Sequence, residues 1–135
     1  MKKDIEFLPV EGVKITIARN INEANEAEWD VYLINRLKNP ISTVFVTSRG
    51  YGFDKDGNQI KTSQLRHFYK DVAAGEIIKI EMITPDVFHL NNEYWVSYFI
   101  DNQVFDKKYI FVPESIREEN LIHIEQLNLK GVLHE

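Results

Sequence analysis

An all-β fold, an antiparallel β-sandwich of about seven strands, follows from three features of the sequence. Its apolar stretches mostly repeat with a period of two. They are short, and Gly, Pro, Asn and Asp separate them. No long amphipathic helical period interrupts the series.

The elements justify this in chain order. Val13, Ile15 and Ile17 alternate with Lys14 and Thr16, so the first strand is apolar on one face and solvated on the other. Asn22 to Glu28 reads as a charged loop or a single helical turn. Trp29 to Ile34 is bulky and β-branched on both faces, which suits a strand central to the fold. Pro40 has no N–H and keeps Asn39 out of helical space, so a connection precedes the strand Ile41 to Ser48. The glycines of Arg49-Gly50-Tyr51-Gly52 permit a bend or bulge.

Asp56-Gly57 is the chemistry of a hairpin tip between a strand ending near Phe53 and one starting near Ile60. Gln64 to Lys70 reads as another strand. After the turn at Ala74-Gly75-Glu76, Ile78, Ile80 and Met82 alternate with Lys79 and Glu81, a half-buried strand whose alternation sends Met82 inward and Glu81 outward. Glu93 to Ile100 and Gln103 to Val112 flank Asp101-Asn102, which predicts a tight hairpin with a type I′ turn. Ser115 with Glu118 matches a capping box, so a short helix over Ile116 to Leu121 is expected after Pro113. Ile122, Ile124, Leu127 and Leu129 make the end of the chain too apolar for a free tail. The order of turns and strands matches an immunoglobulin-like or fibronectin-like sandwich spanning about residues 4–112, with a helical or extended C-terminal extension over 113–135.

At 135 residues the chain is one domain's worth, able to bury roughly 65–70% of its extended surface. The net charge of −5 disfavours duplex nucleic acid and anionic membrane as main partners, since those affinities need clustered Lys and Arg. Without cysteine there are no disulfides, thiolate nucleophiles or zinc-thiolate sites, and no cofactor is expected. Met1-Lys2-Lys3 is followed at once by Asp4 and Glu6 rather than an apolar run, and no stretch approaches the roughly 20 apolar residues that span a bilayer. A cytoplasmic protein is the expectation.

Three stretches are candidate sites. Asp54, Asp56 and Asn58 have the alternate spacing that opens a calcium loop, but Gln59 and Leu65 stand where such a loop needs Gly and a bidentate Glu. A hairpin tip is therefore preferred to a metal site. Arg66, His67 and Tyr69 gather a guanidinium, an imidazole and a phenol that would suit an anionic ligand, against the alternative of an ordinary solvated strand face. Tyr94, Tyr98 and Tyr109, in the aromatic hairpin, are the candidates for an interaction face, but a hairpin with one face in the core and tyrosine hydroxyls rimming the other is preferred. No HExxH, GxSxG or phosphate-binding Gly loop is present, and no catalytic residue is assigned.

Trp29-Asp30-Val31-Tyr32-Leu33-Ile34-Asn35, Leu65-Arg66-His67, Lys79-Ile80-Glu81, Leu90-Asn91-Asn92-Glu93 and Lys130-Gly131-Val132-Leu133 together resemble a family of small bacterial proteins of about this length with no characterised activity. Members of that family are sometimes labelled phenylalanyl-tRNA synthetase alpha chain, which implies an ATP-dependent aminoacylating enzyme. The Arg-x-Glu of such an enzyme lies on a strand with a Gly-Arg segment beyond it. Here Arg117-Glu118-Glu119 follows Pro113 at a helix start with no Gly-Arg after it. The expected function is instead a non-catalytic binding or assembly module, with a protein partner or a second copy as ligand. The alternative is a small anion-binding protein or enzyme using Arg66 and His67.

Overall fold

The computed structural model describes residues 11–134; the charged start of the chain, Met1 to Glu6, lies outside the described residues. The strands are β1 (Val13–Ile21), β2 (Ala27–Asn35), β3 (Ile41–Phe53), β4 (Gln59–Lys61), β5 (Leu65–Val72), β6 (Ile77–Ile83), β7 (Asn91–Ile100), β8 (Gln103–Phe111), β9 (Ile122–Ile124) and β10 (Leu129–His134). They form two antiparallel sheets that do not close into a barrel. The first runs β6-β2-β1-β10-β9. The second runs β4-β3-β7-β8, with β5 also on β3. Because β7 takes one side of β3, β4 and β5 lie end to end along the other.

The core lies between the sheets. Ile15, Ile17, Val31 and Leu33 come from the first sheet, and Val44, Val46, Val96 and Tyr98 from the second, all buried. Each such aliphatic side chain contributes about 1.5–3 kcal/mol on leaving water. β2 lies between β1 and β6, and Asp30 and Ile34 on its other face are also buried. Gly50 and Gly52 allow close packing within a continuous β3 rather than a bulge. A methyl group on Gly50 would come within 2.9 Å of Thr62, and one on Gly52 within 3.1 Å of Leu90.

Four expectations need correction. The two-residue turn at Asp101-Asn102 is present, but of the two only Asp101 has positive φ (53°), the sign pattern of type II′ rather than type I′. The helix after Pro113 reduces to a 3-10 turn at Glu118–Asn120. Ser115 Oγ donates back to the Val112 carbonyl at 2.7 Å instead of capping, and Ile116 is drawn into the core. The segment beyond 112 is no appendage, since β10 pairs with β1 from Ile15–His134 to Arg19–Lys130 and carries β9 beside it.

The fourth correction concerns β6. Tyr32 pairs with Lys79 and Val31 with Glu81, leaving Ile80 as the extra residue of a bulge. A bulge resets the alternation of side chains. Ile78 and Ile80 pack inward, then Glu81 and Ile83 do so as well, and Met82 is left 55% exposed.

Candidate functional site

The bulge in β6 sends a carboxylate across the gap between the sheets. Glu81 Oε1 accepts from Ser48 Oγ at 2.8 Å and faces His67 Nε2 at 2.8 Å, while Oε2 accepts from the Tyr94 hydroxyl at 3.4 Å. An ionised carboxylate only accepts, so Nε2 is the protonated nitrogen of His67. This is not a nucleophile relay. In a Ser–His–acid triad the imidazole bridges serine and acid, whereas here the acid stands between them and its oxygens are already occupied. The adjoining cleft, which includes Thr62, Ser63 and Thr84, holds about 190 Å³. That is below the roughly 300–1,000 Å³ of ordinary ligand pockets. The cluster acts as a polar pin between the sheets.

Alternation divides the sequence-chosen residues. His67 and Tyr69 point into the gap, where burial and the Glu81 charge raise the Tyr69 hydroxyl, whereas Arg66 lies on the outer face of β5. Arg66 and His67 therefore do not converge on one ligand. Tyr94, Tyr98 and Tyr109 do not form a surface. All three are buried in the core, and the Tyr109 hydroxyl donates to the Val13 carbonyl. Asp54 Oδ1 accepts from the amides of Asp56 at 2.9 Å and Asn58 at 2.8 Å, which closes the β3–β4 tip around Gly57 at φ 81°. The amide of Asn58, above all, holds the Asp54 carboxyl below its usual range. Among the described residues no group of three His, Asp or Glu side chains is placed to hold a metal ion. A broader hollow of about 580 Å³ beside β9 contains Arg36 and His123. With its amide turned to accept, Gln126 takes the Arg36 Nε at 2.9 Å.

The outer face of the second sheet is different in kind. Pairing register sets its side chains in rows across β5, β3, β7 and β8: Phe68, Phe45, Ser97, Asp106 in one, and Arg66, Thr47, Trp95, Lys108 in the next. Phe45 is 46% exposed, Phe68 56%, Trp95 43% and Phe99 37%. The Phe45 and Phe68 rings meet at 5.0 Å, and Lys108 Nζ stands 4.8 Å from the centre of the Trp95 ring. Trp95 Nε1 donates to Asp106. At the β4 end, Arg49 Nε donates to the buried Glu93 at 3.0 Å.

The face carries the cations Arg49, Lys61, Arg66, Lys70 and Lys108 against the carboxylates Asp71, Glu93 and Asp106, a positive surplus on a chain of net charge −5. Arg66 and Lys70 form no ion pair among the described residues. Clustered exposed apolar side chains of this size mark interaction surfaces more often than do single ones. Sequence reasoning took the interaction face from the tyrosines of the aromatic hairpin, on the opposite parity to Trp95 and Phe99, and did not join Phe45 and Phe68 to it. The available signal was that β3 and β7 are apolar at both parities, in Val44-Phe45-Val46 and Tyr94-Trp95-Val96.

No protein-family model, curated protein or solved structure matches the chain.

Proposed function

We propose that this chain is a non-catalytic binding module, an immunoglobulin-like or fibronectin-like sandwich that docks an acidic protein partner on the outer face of its second sheet. The observation that carries the reading is the exposed group Phe45, Phe68, Trp95 and Phe99 on that face, bordered by Arg66, Lys70 and Lys108. The strand order supports the fold assignment. β6-β2-β1 against β5-β3-β7-β8 corresponds to strands E-B-A against C′-C-F-G, with β4 and the β9–β10 pair as additions.

Several features favour binding over catalysis. The dense group of polar and titratable side chains between the sheets, around Glu81, is satisfied internally. Arg66 and His67 face opposite ways. Arg117 and Glu119, the match to a synthetase motif, lie in a loop and a 3-10 turn, with Arg117 4.0 Å from Glu119 and 3.9 Å from Glu114. A second copy stacked face to face would set like charges together, so charge favours an acidic partner over a symmetric homodimer.

The test pairs wild type with Phe45→Ser/Trp95→Ser, both exposed positions, after confirming equal melting temperatures. A random peptide library is panned on the wild type. Enriched peptides should bind the variant at least tenfold more weakly, since a Trp anchor commonly carries 2 kcal/mol or more. Peptides that bind both proteins equally, or a symmetric dimer in light scattering that the double substitution dissolves, would overturn the reading.

A further inference from the structure

Resting on that reading, we infer that β5 is the docking edge, and that the partner is an extended acidic segment added beside it as a further antiparallel or parallel strand. β5 (Leu65–Val72) pairs with β3 alone. It keeps one register with β3 from Ile41–Val72 to Ser48–Leu65, interrupted at Thr43 and Lys70, where Thr43 has φ 49°, and it contains no proline. Natural edge strands are usually blunted by being short, bulged, or interrupted by proline. β9 has three residues and β6 carries a bulge. On β8, the opposite edge of the same sheet, the outward residues Asp106 and Lys108 are already engaged with Trp95. β5 has none of these devices except its charges, and it exposes both Phe68 and Leu65.

The residue order along β5 specifies the ligand. Side chains on one face of paired strands meet their direct neighbours about 4.5–5.5 Å apart. The outer face of β5 presents Arg66, Phe68 and Lys70 at alternate positions: cation, aromatic, cation. A strand in register therefore places an acidic residue, an apolar residue and an acidic residue at positions i, i+2 and i+4. Its apolar side chain packs on Phe68 and on Phe45 behind it, whose rings already touch. The intervening side chains turn toward the mouth between the sheets, over Leu65, His67 and Tyr69. Backbone pairing supplies the bulk of such an interaction and the alternate side chains supply its selectivity. A single-stranded nucleic acid also suits aromatic and basic surfaces. It requires a groove of cations tracking successive phosphates, however, and this face carries Glu93 and Asp106 on a chain of net charge −5.

The experiment uses the full chain and three probes: the peptide Thr-Glu-Thr-Phe-Thr-Glu-Thr, the same peptide with lysine for glutamate, and an oligothymidylate. Affinity is read by calorimetry, and the site by hydrogen exchange of the backbone amides. The acidic peptide should bind, weaken as salt is raised, and slow exchange of amides within Leu65–Val72. Arg66→Glu/Lys70→Glu, both on the surface, should weaken it about tenfold or more, from two attractions turned to repulsions. Equal binding of the lysine peptide, tighter binding of the oligonucleotide, or no binding at millimolar peptide overturns the inference. Binding that perturbs Trp95 and Phe99 without protecting β5 also overturns it, yet leaves the outer face as the docking surface.

Discussion

Removing the Glu81 carboxylate isolates what the polar pin contributes. In the native protein one oxygen serves both Ser48 and His67, and the other serves the Tyr94 hydroxyl. Glu81→Ala leaves three donors facing a cleft only partly open to water, the Glu81 side chain itself being 15% exposed. A buried polar group left unpaired costs about 1–3 kcal/mol. Water reaching the cleft satisfies some of the three, so the expected loss is about 3 kcal/mol. Glu81→Gln should behave differently. Its amide oxygen can occupy the Oε1 position and accept from both Ser48 and His67, while its NH₂ donates to the Tyr94 oxygen. The cost should then be about 1 kcal/mol, the difference between a charge-assisted and a neutral hydrogen bond. Urea unfolding followed by circular dichroism, with the slope m unchanged, gives both values. If Glu81→Ala costs under about 1 kcal/mol, or Glu81→Gln costs as much as Glu81→Ala, the pin is not made as described.

Other expected outcomes follow from the same structure. Met82→Lys should change stability by no more than about 0.5 kcal/mol, because the bulge leaves Met82 in water; a loss above about 2 kcal/mol in urea would mean that simple alternation holds in β6. Gly131→Ala should cost about 1–3 kcal/mol in the same assay, since the added methyl would sit 2.8 Å from the Ile17 carbonyl oxygen and 3.1 Å from the Ala18 Cα, both backbone; a neutral result would refute the close β1–β10 approach. Burial pushes the Tyr98 hydroxyl up to about 12 and raises Tyr94 and Tyr109 further, and the Glu81 charge adds to the rise at Tyr94. The unfolded chain sheds these protons near pH 10 while the folded one keeps them, so stability is complete below that pH and falls above it by about 1.4 kcal/mol per tyrosine per pH unit. Absorbance at 295 nm should therefore show these tyrosines ionising together with loss of the circular dichroism signal. Full ionisation of all six tyrosines near pH 10 with the fold intact would contradict their burial.

The all-β class, the hairpin at Asp56-Gly57 and the two-residue turn at Asp101-Asn102 were legible because each rests on local chemistry: period-two patterning, and residues that accept positive φ. The candidate sites were not legible to the same degree. Arg66 and His67 are neighbours in sequence and opposites in space, since alternate side chains leave a strand on alternate faces. Tyr94, Tyr98 and Tyr109 look like a surface stripe only until the facing sheet is in place. Ser115 and Glu118 had the spacing of a capping box, but capping contributes about 1 kcal/mol, and the burial of Ile116 outweighs it.

From composition and periodicity alone come the absence of thiol chemistry, the acidic balance, and a fold of short antiparallel strands joined by tight turns. These are properties of single residues and of neighbours along the chain. Which parity of each strand faces the other sheet is a different kind of fact. One unpaired residue, Ile80, reverses the sense of everything after it in β6, turning Glu81 into the gap and Met82 out to water. Likewise β3 and β7 are apolar on both faces, and nothing local distinguishes Val46 in the core from Phe45 in solvent. That choice was made by the packing of the two sheets against each other, because a side chain's burial depends on partners remote in sequence that only the folded chain brings within reach.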